Sequence, residues 1–379
     1  MDIAFICTEK LPSPAVKGGA IQMMIDGVTP FISSLYPLTI FSITDSSLPK
    51  REDDGLVKYI RFPRSTYIQD VSQEIGKHHF DIIHVFNRPK QVKLYKAASP
   101  NSRIVLSLHN EMFAEEKLTD EEALTCLNST HAITTVSHFI KNTVLKRFPS
   151  AVKQLHVVYS GVDINQYPPI WSPIGKKIRK VCREKFDLVN KKVILFIGRL
   201  SKTKGPHKLI EAIPHIIDEH PDAVLVIVGG KWFSDNRPNN YVHFLYECAS
   251  SLDDYVRFVK FIPPNKIPNI FLMGDVFVCS SQWNEPLARV HYEALAAGVP
   301  IITTDRGGNG EVIENEVNGL LIKDYKNPLE FARVINWILD QPQFGYHIAN
   351  NGRKMIEERF QFSHVSERLL HVYEYVHKL

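Results

Sequence analysis

The stretch Gly198-Arg199-Leu200-Ser201-Lys202-Thr203-Lys204-Gly205 begins where an apolar run ends and leads into a helix near Pro206. Glycine lets a backbone approach an anionic ligand, and a helix N-terminus favours negative charge. The fork of Arg199 can hold a phosphate, and Lys204 adds a mobile point charge. The plainer reading is a solvated basic turn, which is a common feature. The stretch is not a Walker loop. G-x-x-x-x-G-K-[ST] is absent from the 379 residues, and so is G-x-G-x-x-G. That argues against a P-loop nucleotidase and a nicotinamide dehydrogenase.

Two carboxylates, Glu285 and Glu293, lie eight residues apart in Glu285-Pro286-Leu287-Ala288-Arg289-Val290-His291-Tyr292-Glu293-Ala294. With 22 glutamates in the chain, about one such pair arises by chance, so the setting has to carry the argument. Pro286 reads as a helix start, Leu287, Val290, Ala294 and Leu295 as its core face, and Gly298 with Pro300 as its end. Glu285 then stands at the positive end of the helix and Glu293 two turns in. A carboxylate offers two acceptor oxygens and can take both hydroxyls of a vicinal diol such as a ribose. The plainer readings are a dipole partner for Glu285 and an exposed helix carboxylate for Glu293.

His109, in Ser107-Leu108-His109-Asn110-Glu111, follows another apolar run, where a lone histidine is more often structural. Gly18-Gly19 close a long loop that starts at residue 8 and contains Pro12 and Pro14. Long loops at sheet edges are often functional, although two glycines can equally be a flexible turn. Neither D-x-D nor H-E-x-x-H occurs, so no dedicated metal site is expected. The five cysteines, Cys7, Cys126, Cys182, Cys248 and Cys279, are isolated and odd in number. They read as thiols in a reducing compartment, neither a disulfide framework nor a zinc site. The net charge of +4 is too small to suggest a nucleic-acid partner. Ile3–Cys7 is too short for a signal peptide, and no run reaches membrane-spanning length, so a cytoplasmic protein is expected.

These residues need elements to position them. Short Val- and Ile-rich runs predict strands at 2–7, 38–43, 56–61, 81–86, 103–108, 131–136 and 155–159, then at 192–197, 223–228, 255–259, 275–280 and 299–304. Runs such as Val193–Ile197 and Val224–Val228 barely alternate, which marks strands buried on both faces of parallel sheets. Amphipathic stretches at 20–35, 89–98, 137–147, 205–219, 288–297, 327–340 and 361–378 predict helices. The alternating order predicts doubly wound α/β sheets, and twelve strands predict two of them. The break in apolar rhythm between about 161 and 191 predicts the boundary. Every singled-out residue follows a strand on its carboxyl side, where such sheets bind ligands.

In this order along the chain, the motifs resemble the retaining nucleotide-sugar glycosyltransferases of the large family four, which have the GT-B fold. The likeness spans Gly18-Gly19, His109, Tyr159-Ser160-Gly161-Val162-Asp163, Gly198-Arg199 through Lys204-Gly205, the Glu285/Glu293 pair, and Gly307-Gly308 before Glu311-Val312-Ile313. Within that family, the stretch around Gln282-Trp283 and Pro286-Leu287-Ala288-Arg289 most resembles the spore-coat members. The resemblance implies two Rossmann-like domains facing across a cleft: 1–165 on the acceptor side, 166–360 binding the nucleotide sugar, and a helix at 361–379 packing back on the first. It implies catalytic roles for Arg199, Lys204, Glu285 and His109. Donor-binding roles fall to Gly18, Gly19, Gly198, Ala288, Arg289 and Glu293. Arg199 and Lys204 would bind the diphosphate without metal or other cofactor, Glu293 the ribose, and Glu285 and His109 the sugar. The partners implied are a nucleotide-sugar donor, a glycan, lipid or small-molecule acceptor, and spore coat proteins.

One departure matters. Where the family has Phe-Gly-Leu after Glu-Pro, this chain has Leu287-Ala288-Arg289, which puts an extra cation beside the site. A second reading follows from it: a structural coat protein with the same fold and reduced turnover. A third is a sugar-nucleotide epimerase of that fold.

Overall fold

The computed structural model describes residues 1–232 and 237–379. The chain divides into two compact units, Met1–Gly161 with Phe362–Leu379, and Val162–Gln361.

In the first unit, β1 (Ile3–Ile6), α1 (Ala20–Ser33), β2 (Leu38–Ile43), β3 (Arg51–Asp53), β4 (Val57–Phe62), α2 (Tyr67–Ile75), β5 (Ile82–Phe86), α3 (Val92–Ala98), β6 (Arg103–Leu108), α4 (Asp120–Ser129), β7 (Ala132–Thr135), α5 (His138–Arg147) and β8 (Leu155–Val157) follow in order. The sheet runs β3-β4-β2-β1-β5-β6-β7-β8, parallel except for the β3–β4 pair. The chain order reverses between β1 and β5. β1 and β5 are buried along their whole length, as strands covered by helices on both faces must be.

The second unit begins with α6 (Pro173–Lys185) and continues with β9 (Lys192–Ile197), α7 (Pro206–Ile217), β10 (Ala223–Val228), α8 (Asn240–Ala249), β11 (Val256–Val259), α9 (Ile267–Phe271), β12 (Val276–Cys279), α10 (Arg289–Ala297), β13 (Ile301–Thr304), β14 (Leu320–Ile322), α11 (Pro328–Asp340) and α12 (Pro342–Arg359). Its sheet is wholly parallel, in the order β11-β10-β9-β12-β13-β14. The reversal lies between β9 and β12. Ligands of open α/β sheets bind at the carboxyl ends of the strands at such a point.

Two edge strands, β3 and β14, and the helix α6 go beyond the sequence expectation. β3 is a charged, exposed Arg-Glu-Asp and carries no apolar signal. α6 occupies the stretch read as a linker. Ser172 caps it, its Oγ accepting from the Gly175 N–H at 3.0 Å, and Pro173 opens it. The helix docks through arginines in place of an apolar stripe. Arg179 donates to the Leu272 and Gly274 carbonyls at 2.8 and 2.7 Å, Arg183 to the Met273 carbonyl at 3.0 Å, and both pair with Asp275.

The final helix, α13 (Phe362–His377), closes the first unit. Its Phe362, Val365, Leu369, Val372, Tyr373 and Val376 join the core under β1, β2 and β5. Tyr373 also meets a buried polar group. The His84 Nδ1 lies 2.6 Å from its hydroxyl, and the His84 Nε2 lies 2.6 Å from the Ser107 Oγ. Burial pushes the His84 ring down to about 3, so it is neutral at ordinary pH.

Helices α1 and α13 approach closely because Gly27 has no side chain: a Cβ there would stand 2.3 Å from the Phe362 ring. Gly27→Ala should therefore overpack this seam and cost about 1–3 kcal/mol. For a chain of this size that lowers the melting midpoint by several degrees, roughly 2–4 °C per kcal/mol. Adding Phe362→Leu should recover part of the loss. An unchanged midpoint in Gly27→Ala would show that the seam is loose.

Candidate active site

The loop after β9 carries Gly198, Arg199 and Lys204, and the loop after β12 carries Ser281 to Ala288. These are the two strands at the order reversal. Gly205, at the N-cap of α7, has φ 70°, and a Cβ there would meet the Ser280 carbonyl oxygen at 2.1 Å. Only glycine fits such a left-handed, backbone-to-backbone contact. Gly307 repeats the arrangement on the other side, with φ 60° and a Cβ position 2.1 Å from the Glu285 carbonyl oxygen. The Gly308 N–H donates to that same oxygen at 2.8 Å. Further ties are the Gln282 N–H to the Thr203 carbonyl at 2.7 Å and the Thr304 hydroxyl to the Ser281 carbonyl at 2.7 Å.

This scaffold buries the Glu285 carboxylate. Its Oε2 accepts from Lys204 Nζ at 2.7 Å, from the Ser281 hydroxyl at 2.8 Å and from the Trp283 indole N–H at 2.8 Å. Burial alone would raise the Glu285 carboxyl. The Lys204 charge and the three hydrogen bonds outweigh it and hold the group below its ordinary value. Arg199, half-buried, lays its guanidinium over the Trp232 ring, 5.1 Å from the centre. Burial lowers its proton affinity, and the nearby Glu285 charge opposes that.

Helix α10 starts at Arg289 with Ala288 as its N-cap, so Pro286 and Leu287 lie in the loop before it and not in its first turn. Glu285 is therefore no dipole partner inside the helix. Its carboxylate is held by side chains. Ala288 provides no capping side chain, and the first turn contains no acid. Glu293 is buried, contrary to an exposed helix carboxylate, and accepts from Arg289 Nη2 at 3.1 Å across one turn. Gly298 ends the helix at φ 66°, as expected. His291 is buried against the Thr303 hydroxyl at 2.8 Å, and burial pushes it down to about 3, so it supplies no charge.

The structure thus brings Lys204 to Glu285 and Arg289 to Glu293 directly, with Gly198 and Arg199 on the same loop as Lys204. His109, Gly18 and Gly19 belong to the other unit. The His109 N–H donates to the Asn87 Oδ1 at 3.0 Å, and its ring lies 6.0 Å from that of Phe86. Gly18 and Gly19 have φ 79° and 106°, and Gly19 is the N-cap of α1. Sequence reasoning missed Ser281, a common residue type with no motif of its own. It also missed the Trp283 indole as a donor, although the resemblance draws on that residue. Among the described residues no group of three or more His, Cys, Asp or Glu side chains could hold a metal ion. No helix among them is long and apolar enough to cross a membrane.

The family model described as glycosyl transferases group 1 matches residues 179–355, and that of glycosyltransferase family 4 matches residues 47–166. YtcC of Bacillus subtilis, named as a glycosyltransferase, is 58% identical over 376 residues, covering 99% of this chain and 92% of its own. Spore coat protein SA of the same organism is 47% identical over 374 residues, 99% of each chain. Among solved structures, Anabaena HepE in complex with UDP is similar with a TM-score of 0.79 at 23% identity, covering 99% of this chain and 100% of that one. Sucrose-phosphate synthase from Thermosynechococcus elongatus has the same TM-score at 20% identity, covering 99% and 98%. These two show a shared fold, the two parallel-sheet α/β domains of GT-B enzymes.

The Lys204–Glu285 pair has a pH signature. In the parent the lowered Glu285 carboxyl contributes stability that is present above its ordinary value of 4.5 and lost as pH falls through the folded-state value. In Lys204→Met, burial dominates and the carboxyl rises, so folding is penalised above the raised value and relieved below it. The variant should lose about 3–5 kcal/mol at neutral pH. The gap in melting midpoint should narrow as pH is lowered from 8 to 4. A gap independent of pH would mean that Glu285 is not the charge left unpaired.

Proposed function

The chain belongs to the glycosyl transferases of group 1, and from that premise we propose that it moves a hexose-type sugar from a nucleoside diphosphate sugar to an acceptor. Transfer retains the anomeric configuration and uses no metal. The observation that carries this reading is the Lys204–Glu285 contact with Arg199 beside it at the β9/β12 reversal. Breaking the anomeric bond leaves negative charge on the diphosphate. Two preorganised cations on a rigid loop can meet that charge, as a metal does elsewhere. Lys204, bound to Glu285 in the resting protein, is held in position by that carboxylate. Glu293, with Arg289 on one oxygen, has a second oxygen suited to ribose hydroxyls. The N-terminus of α10, without side-chain cap or acid, suits a phosphate.

His109, Gly18 and Gly19 are assigned to the sugar and acceptor side, in the unit of Met1–Gly161. The likeness to a spore coat protein supports an acceptor in spore-coat or cell-surface glycan formation, with coat proteins as neighbours. The UDP bound by HepE makes uridine diphosphate sugars the first donors to test.

Thermal melting with UDP, GDP and ADP and their sugar conjugates, without added metal, tests the reading. A ligand at about 100 times its dissociation constant adds about 2.7 kcal/mol, which moves the midpoint by several degrees. One nucleotide should produce the shift, and Lys204→Ala should abolish it. Arg199→Ala should lower kcat about 10²–10³-fold, the usual cost of one charge-stabilising donor. Turnover should survive EDTA. No shift with any nucleotide would favour a coat scaffold without turnover.

A further inference from the structure

Two arginines flank the Glu285 loop. The strand order puts β9 on one side of β12 and β13 on the other. Arg199 follows β9 and Arg306 follows β13. Each lays its guanidinium over an aromatic ring, Arg199 at 5.1 Å from the centre of Trp232 and Arg306 at 4.4 Å from the centre of Tyr325. Stacking fixes the plane of a guanidinium and leaves its edge donors for a ligand. Arg306 makes no ion pair and no side-chain hydrogen bond among the described residues, and its buried Nε has no partner there.

The backbone beneath it is well held. The Arg306 N–H donates to the Thr304 carbonyl at 2.8 Å, and its own carbonyl accepts from Asn309 N–H at 3.2 Å. The next two residues rest on the Glu285 carbonyl, as described above. The Tyr325 carbonyl accepts from the Gln282 amide at 2.9 Å, and Gln282 also ties to the loop of Lys204. Lys323 and Lys326 are exposed on the same loop as Tyr325, with Lys326 Nζ 5.9 Å from the Tyr325 ring centre. The exposed Asp305 and Asp324 pair with none of these cations.

We infer that Arg306, held by Tyr325, binds an anionic group, a carboxylate or a phosphate, carried by a sugar substrate. Neighbouring strands lie about 4.8 Å apart, so β13 stands roughly 10 Å from β9. That is too far for one phosphate group to occupy both arginines, and it leaves room for a sugar unit over the Glu285 loop. The inference rests on the reading of the Arg199–Lys204 loop as the diphosphate site. The anionic group has two sources, a donor whose sugar is a uronic acid or an acceptor that is a sugar phosphate.

Calorimetric titration with UDP-glucose against UDP-glucuronate, and with GDP-mannose against GDP-mannuronate, examines the donor source. Titration of glucose 6-phosphate against glucose on the nucleotide-loaded protein examines the acceptor source. The parent should prefer the acidic member of one pair, and Arg306→Met should reduce that preference at least tenfold. Tyr325→Phe keeps the ring and should keep the preference, whereas Tyr325→Ala should lose it. Melting curves check that each variant is folded. A parent with no acidic preference in any pair, or a preference unchanged in Arg306→Met, overturns the inference. UDP and GDP alone, run on the same samples, separate the two failures. Nucleotide binding without acidic preference rejects only the role of Arg306. Absence of nucleotide binding rejects the diphosphate reading and the inference with it.

Discussion

The second unit is organised around one buried carboxylate. Glu285 Oε2 takes three donors at once, from Lys204, Ser281 and Trp283. A buried ionised group without such partners would cost several kcal/mol or lose its charge. Satisfying it requires two loops from adjacent strands to meet within hydrogen-bond distance. That requirement explains the left-handed Gly205 against Ser280 and Gly307 against Glu285, because a side chain at either position would push the loops apart. A buried ion pair rarely stabilises a fold more than well-packed apolar residues would. The pair is better understood as a device that fixes the position of the Lys204 side chain at the sheet's order reversal.

The first unit solves a similar problem with polar ties. Its long loop after β1 contains few apolar anchors. Asp26 on α1 accepts from the Ala15 N–H at 2.6 Å and from the Ser13 hydroxyl at 3.3 Å. Arg61, fully buried, donates to the Ser13 carbonyl at 3.0 Å. Arg88 after β5 grips Glu9 after β1 with two bonds, at 2.6 and 2.7 Å, across the reversal of that sheet. Bidentate geometry of this kind fixes direction as well as distance. The loop that ends in Gly18-Gly19 is thereby tied to α1, β4 and the segment after β5.

How much of this the sequence reveals depends on which force positions each part. The twelve core strands are legible because continuous Val and Ile runs have no stable place except a sheet covered on both faces. β3 is not, because an exposed edge strand of Arg51, Glu52 and Asp53 is set by its partner β4. The start of α4 could have been read: Thr119 and Glu122 form a reciprocal capping box. α6 could not be found from apolar period, since its anchors are arginines that seek carbonyls. In the site, residue type and order along the chain pointed to Arg199, Lys204, Glu285 and Glu293. The contacts among them were hidden because Lys204 and Glu285 are 81 residues apart in sequence.

The Leu287-Ala288-Arg289 departure changes the charge balance of the site. With Arg289 included, the cations Arg199, Lys204 and Arg289 stand among the two carboxylates Glu285 and Glu293. An apolar residue at 289 would leave Glu293 buried with one fewer donor, and the site without its cationic surplus. Lys204 and Arg289 are each already bonded to a carboxylate, so an anion of the kind proposed above would have to share them. Sharing is cheap where the carboxylate has other donors, as Glu285 has in Ser281 and Trp283. The arrangement therefore favours a ligand that draws on Lys204 while Glu285 stays ionised, with the uncapped N–H groups of α10 taking the remaining negative charge.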